Sequence, residues 1–400
     1  FLLKVIHERR FDQKILTHPV SLAIYLNILW LFLTSLTSTM PVVSFKFLLA
    51  RIWFVVCLYL LTTKIFLKGK KTEQYVWLYI ISFIVIIFYA TYRHLGYGLW
   101  NKQAAHFVVS PFYNDHTSYG AAVAIYLPFI ALFAFSNYYS KNVRRISWVV
   151  FAIFLMAFVL SYSRAAWVSM IAGIAVWIII KLKIRFQPIF ITAIVLFAFI
   201  FTFQTQIVMY LERNSDESSS NLTEHVSSIS NISSDASNLE RINRWSCAIR
   251  MFQNKPFFGY GPGTYMFKYA PYQLNKDRTI ISTNAGDGGN AHSEYLGPLS
   301  ESGVLGLVTF LLIIVTVFYT GVHAYTRLNN KRMKAVVLAA LIGLVTYYVH
   351  GFLNNFLDTD KLSVPFWGFT AMIVAADIYS RKEETTVQED QKKPASEKPD

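Results

Sequence analysis

The sequence predicts an all-α fold, a polytopic membrane helix bundle of about ten transmembrane helices with one large extracytoplasmic loop subdomain. Three observations predict it. Of the 400 residues 54% are apolar and only 15% charged, where a soluble domain carries roughly a quarter charged residues; the mean hydropathy is +0.39. The apolar residues gather into runs long enough to cross a bilayer, and Lys and Arg alternate between the two sides of those runs.

A bilayer core takes about 20 apolar residues per helix, and a helix satisfies its own backbone polar groups where there is no water. The runs that meet this length are 19–38, 43–63, 74–92, 117–136, 145–162, 165–181, 187–208, 303–325, 333–352 and 362–380. Lys and Arg in short loops stay cytoplasmic. With the N-terminus inside, the inner segments hold 20 of them, clustered at 4–14, 64–71, 141–145, 181–185, 327–334 and 381–382. Six lie outside or near the outer helix ends: Lys46, Arg51, Arg93, Lys102, Arg164 and Lys361. The net charge of +14 is thereby assigned to one face of a bilayer and not to nucleic acid. The basic stretch Phe1 to Lys14 reads as no signal peptide. Cys57 and Cys247 are too few and too far apart in context for a disulfide framework.

The chain divides into N-terminal transmembrane helices (1–208), a large extracytoplasmic loop with the candidate catalytic residues (209–302), C-terminal transmembrane helices (303–380) and a disordered cytoplasmic tail (381–400). Within the loop, Asn214 to Asn238 is rich in Ser, Asn and Asp and reads as linker. The aromatic connection 93–116 is expected along the interface.

Chemistry is sought at the outer rim. Arg164, in Ser163-Arg164-Ala165 between two apolar runs, is an isolated cation on the side poor in positive charge. As a structural residue it is an interfacial anchor whose stem snorkels to water; as a functional one it meets an anion. From Leu239 to Phe252, apolar residues recur at 239, 242, 245, 249 and 252 with a helical period. Arg241 and Arg244 share another face, either a solvated surface or a fork of planar donors for phosphate oxygens. The turn Pro256 to Gly263 contains Tyr260, Gly261 and Gly263 and lacks the Lys-Ser/Thr of a phosphate-binding loop, which excludes that mode of nucleotide binding. A lone histidine is usually structural; one at the interface beside two carboxylates, as His292 is with Glu294 and Glu301, can instead titrate near neutrality and serve as a base or hydrogen-bond donor. No second His or Cys follows at ligand spacing, so no metal is expected there. Asp358-Thr359-Asp360 is a weak metal-holding pattern, and His116 with Asp115, and His350, rank below it.

In their order, these elements resemble the O-antigen ligase and polymerase superfamily of bacterial envelope glycan transferases. The match is carried by Ser163-Arg164-Ala165, by Arg241 four before Trp245, by Pro256 with Gly259 to Gly263, and by His292 with Leu296, Glu301, Gly303 and Gly306. It spans roughly residues 110 to 360. Ligases of that family have twelve helices with the large loop after the ninth, so the resemblance implies either two helices preceding this chain or a ten-helix relative. Ser293 stands where many members have Asn.

The resemblance implies transfer of a glycan from a polyprenyl-diphosphate carrier at the periplasmic face of the inner membrane. The acceptor would be lipid A core, a growing glycan or a protein, with ligation ranked first and a polysaccharide or lipid transporter as the alternative of another class. Arg164 and Arg241 would hold the diphosphate and His292 would take or orient the acceptor proton, with Arg244, Glu301, Tyr260, Gly261 and Gly263 binding substrate. It also implies a metal-independent, inverting displacement with no cofactor.

Overall fold

The computed structural model describes residues 12–67, 71–184, 240–275, 282 and 289–392. In chain order its main helices are α1 (Pro19–Leu36), α2 (Pro41–Leu67), α3 (Lys71–Tyr97), α4 (Lys102–Val108), α5 (His116–Phe135), α6 (Lys141–Leu160), α7 (Arg164–Lys181), α8 (240–254), α9 (Leu296–Arg327), α10 (Lys331–His350) and α11 (Asp360–Lys392). There is no strand among the described residues. All but α4 and α8 are long and apolar enough to cross a membrane, so the described residues hold nine such helices. This is a multi-pass membrane protein, and the helices fall within a few residues of nine of the ten expected runs. The remaining run, 187–208, and the linker Asn214 to Asn238 lie outside the described residues.

Local chemistry sets the helix ends. Pro19 and Pro41 open α1 and α2 at a position where an N–H has no intrahelical partner. Side chains of Asp115, Ser140, Ser163 and Asn330 accept from the first free amides of α5, α6, α7 and α10. Two irregularities matter. Val55–Leu61 within α2 is π-helical, with the Thr62 hydroxyl donating to the Cys57 carbonyl. In α9 the backbone breaks at Gly303, at φ 70° and ψ −168°. At the chain's end α11 continues to Lys392, into the stretch read from sequence as a disordered tail, because its Glu, Gln and Lys residues are good helix formers.

The helices α5, α10 and α11 form the centre. Their spanning windows are 78%, 78% and 89% buried, against 22–44% for the other six. Phe369 of α11 packs on Tyr126 and Phe129 of α5. Gly343 of α10 lies so close to α5 that a Cβ there would sit 2.5 Å from the Ile125 carbonyl oxygen, the small-residue contact by which membrane helices approach. The outer helices turn Leu49, Leu78, Val85 and Ile171 outward, as lipid contact requires. Their arrangement brings the starts of α5, α7 and α9 and the end of α10 to one end of the bundle, here called the Arg164 end.

Candidate active site

At the Arg164 end the α5 terminus is fixed first. The Asp115 carboxylate accepts from the Thr117 hydroxyl at 2.6 Å and the Ser118 amide at 2.7 Å. Burial alone would raise its pKa, but these bonds and the nearby His116 outweigh burial and hold it below the usual carboxylate value. His116 follows, its ring 4.0 Å from that of His106 on α4 and its Nδ1 buried without a hydrogen-bond partner among the described residues. Burial and the Lys102 charge depress His106.

The α6–α7 turn delivers Arg164. Tyr162 takes a left-handed conformation at φ 48°, Ser163 caps the helix, and Arg164, exposed, is the first residue of α7. A cation at a helix N-terminus adds to the helix's own partial positive charge. An anion placed there would meet both.

The two arginines of α8 have separate surroundings. Arg241 lies in the field of Asp115 and Arg164, and burial lowers its pKa. Arg244 is buried, its Nε 2.6 Å from Glu240 and its guanidinium 4.1 Å above the Tyr269 ring. Its Nη1 has no hydrogen-bond partner among the described residues and abuts Gly289, where a Cβ would lie 1.4 Å away. Arg244 is thus engaged by Glu240, the Tyr269 ring and the Gly289 backbone, while Arg241 is coupled to Asp115 and Arg164, and the charges of both arginines act on His292.

His292 adopts φ 47°, a conformation few non-glycine residues take. Its amide donates to Asn290 Oδ1 at 3.0 Å, and its carbonyl accepts from Trp245 Nε1 at 3.2 Å. Burial, followed by the charges of Arg241 and Arg244, pushes its pKa down to about 4. This corrects the expectation of titration near neutrality, because the two carboxylates thought to support it point elsewhere. Glu294 Oε1 accepts from the Tyr347 hydroxyl and the Phe356 and Leu357 amides at 2.6–2.9 Å, and burial pushes that carboxyl up. Glu301 accepts from the amides of Gly263 at 3.0 Å and Tyr265 at 2.8 Å.

The glycine turn has a packing reason. Gly259, Gly261 and Gly263 all have positive φ. A Cβ at Gly259 would lie 2.3 Å from the Glu301 backbone, and one at Gly261 would lie 1.9 Å from Ser38 Oγ. The Tyr260 carbonyl accepts from the Thr39 amide and hydroxyl at 2.9 and 2.7 Å. Tyr260, Gly261, Gly263 and Glu301 thus lock the loop onto the α1–α2 turn and the start of α9. The break at Gly303 is the other half of this lock: the Val304 amide donates to the Pro256 carbonyl at 2.9 Å. The apolar face of α8 turns outward, with Ile242 and Ile249 exposed, while Asn243, Arg244, Cys247, Ala248 and Met251 form its buried side.

The structure thus brings Arg164, Arg241 and His292 together and adds Asp115 and His116, which ranked low in the sequence. A signal for Asp115 was present: an acidic residue just before a span and followed by Thr and Ser is a cap pattern, at the same end as Arg164. His350 is buried nearby, its Nε2 3.2 Å from Asn354 Nδ2. Asp358 instead pairs with Arg51 at 2.9 Å. Among the described residues no three His, Cys, Asp or Glu are arranged to hold a metal.

Residues 149–311 match the family model described as O-Antigen ligase. The match covers the turn bearing Arg164, both α8 arginines, the glycine turn, His292 and the start of α9. It supports the superfamily read from the sequence, and with it glycan transfer of the ligase or polymerase type. No curated protein matches the chain.

Proposed function

We propose, proceeding from the match over residues 149–311, that the chain transfers a glycan from a polyprenyl-diphosphate carrier to an acceptor at the periplasmic face of a bacterial inner membrane. Ligation to lipid A core is placed ahead of repeat-unit polymerisation and transfer to protein. The observation that carries this reading is the meeting of Arg164, Arg241, Asp115 and His292, from four separate segments, at one end of a membrane bundle.

The acceptor hydroxyl oxygen attacks the anomeric carbon, and the bond from that carbon to the phosphate oxygen breaks. A single displacement inverts the centre. The electron pair leaves on the polyprenyl diphosphate, where Arg164, Arg241 and the α7 N-terminus supply fixed positive charge. The hydroxyl proton passes to His292. In the free protein this imidazole is a poor base because it is buried and because the charges of Arg241 and Arg244 act on it. A seated diphosphate cancels part of that field and raises its proton affinity, so the base strengthens when the donor is in place. The Asp115 charge offsets that of Arg241, Arg244 and Glu301 hold the two loop segments in register, and metal independence and the absence of a cofactor belong to the same proposal.

The test is transfer by purified protein with a lipid-diphosphate glycan donor, EDTA, and acceptors of lipid A core, glycan repeat or peptide. Arg164→Ala, Arg241→Ala and His292→Ala should each lose release of polyprenyl diphosphate, by roughly 10²–10³-fold for an arginine. Normal turnover in all three variants would overturn the site. Wild-type activity abolished by EDTA and restored by a divalent cation would overturn metal independence.

A further inference from the structure

Far from the Arg164 end, a cavity of about 920 Å³ opens between α5, α6, α7, α10 and the end of α9. That is near the top of the range for small-molecule sites, roughly 300–1,000 Å³. Its walls are apolar, with Leu132, Phe151, Leu155, Ile174 and Leu338 among them. Its polar rim is cationic: Lys181 at the end of α7, and Lys331 and Lys334 in the first turn of α10.

The lysines differ from their neighbours. Arg332, in the same turn of α10, is paired with Glu73. None of Lys181, Lys331 and Lys334 has an acidic partner among the described residues; the Lys334 ammonium donates to the Thr326 carbonyl at 3.4 Å and lies 5.9 Å from the centre of the Tyr325 ring. The first turn of α10 contains no acidic residue. Lys181 at a helix C-terminus is favoured by the helix dipole, but Lys331 and Lys334 sit where the dipole opposes a cation. An anion at that rim would answer both the ammonium groups, which have no acidic partner among the described residues, and the helix terminus. A basic rim above an apolar groove between membrane helices is the chemistry that holds an anionic lipid headgroup.

We propose that this groove is a binding site for an anionic diacyl phospholipid of the surrounding bilayer, with its headgroup on Lys181, Lys331 and Lys334 and its acyl chains along α5, α6 and α7. The site is separate from the proposed transfer site and does not rest on that reading.

The experiment is native mass spectrometry of the purified full chain released from mixed micelles, titrated with phosphatidylglycerol or with phosphatidylcholine of the same acyl chains. Wild type should retain phosphatidylglycerol preferentially. Each Lys→Gln change should weaken that retention by roughly fivefold, and Lys181→Gln/Lys331→Gln/Lys334→Gln together should abolish the preference. Ala335→Phe, which narrows the groove, should reduce retention of both lipids. Arg145→Gln, at the same end but outside the groove, should change neither. The proposal is overturned if the triple variant keeps the preference, if Arg145→Gln weakens it as much as a groove lysine does, or if Ala335→Phe leaves both lipids bound as in wild type. A thermal melt of each variant, matched to wild type, separates these results from misfolding.

Discussion

The position of the His292 pKa gives a test that does not depend on knowing the acceptor. With the imidazole held at about 4, a base at this position is about 97% deprotonated at pH 5.5, whereas a histidine at its ordinary value of about 6.5 would be only about 9% deprotonated there. The pH dependence of kcat/KM reports groups of the free enzyme. The acid limb should therefore stay flat from pH 7.5 to pH 5.5, where an ordinary histidine would give a tenfold fall. Arg241→Gln removes the first-ranked charge that depresses the ring after burial itself. It should move the limb to higher pH while lowering the rate overall. The assay is release of polyprenyl diphosphate under subsaturating donor. A wild-type limb near pH 6.5, or a limb that Arg241→Gln leaves in place, would refute the argument that burial and the two arginine charges together keep this ring neutral. The same residue predicts stability. The folded chain binds fewer protons at His292 than the unfolded chain between about pH 6.5 and 4, so that contribution is lost as pH falls through this window. Glu294, raised by burial, acts in the opposite sense, and the comparison is therefore made with His292→Gln melts across the same range.

Three further outcomes follow from the packing around the site. Gly303→Ala would place a Cβ 2.0 Å from the Phe257 carbonyl oxygen at a φ of 70°, so folded yield should collapse in size-exclusion profiles; Gly297→Ala, with nothing within 4 Å of its Cβ, should behave as wild type. Glu294→Ala leaves the Tyr347 hydroxyl and the buried Leu357 amide without their acceptor, at roughly 1–3 kcal/mol each, and should lower the melting temperature sharply, while Glu294→Gln, which keeps a carbonyl oxygen, should recover most of the loss; the Phe356 amide keeps the Tyr347 hydroxyl oxygen at 3.1 Å. Asp358→Ala breaks a half-exposed pair with Arg51 worth no more than about 1 kcal/mol, and transfer rates should be unchanged if Asp358 holds no metal.

What the sequence made legible was whatever depended on local pattern. Span positions follow from apolar runs alone, because hydrocarbon imposes the same length on every helix. Pro19 and Pro41, and the polar caps at Asp115, Ser163 and Asn330, mark helix starts by chemistry confined to four residues. The α8 helix was legible as a helix, yet which side it buries was not. Its apolar stripe reads as the inward face in a soluble protein, but beside a bilayer the apolar stripe can turn outward, and Arg244 is buried instead because Glu240 and the Tyr269 ring receive it. The acid four residues before the base was the signal available for that pair.

The site itself is made of contacts between segments far apart in the chain, and there the sequence could only nominate members. Spacing near His292 pointed to Glu294 and Glu301, its neighbours in sequence, while the charges that act on it come from Arg241, Arg244 and Asp115. The reason is topological. Each span returns the chain to one of two membrane faces, so residues at every second helix end become neighbours whatever their separation in sequence. A search for chemistry in such a protein therefore gains more from collecting the polar residues that flank all spans at one face than from scanning within one loop. Applied here, that rule places Asp115 and His116 with Arg164, and it predicts that Asp115→Asn, which keeps the amide-accepting cap, should leave the fold intact while altering the His292 titration. Were that titration unchanged in Asp115→Asn, the electrostatic unity of the cluster would fail even with every helix in place.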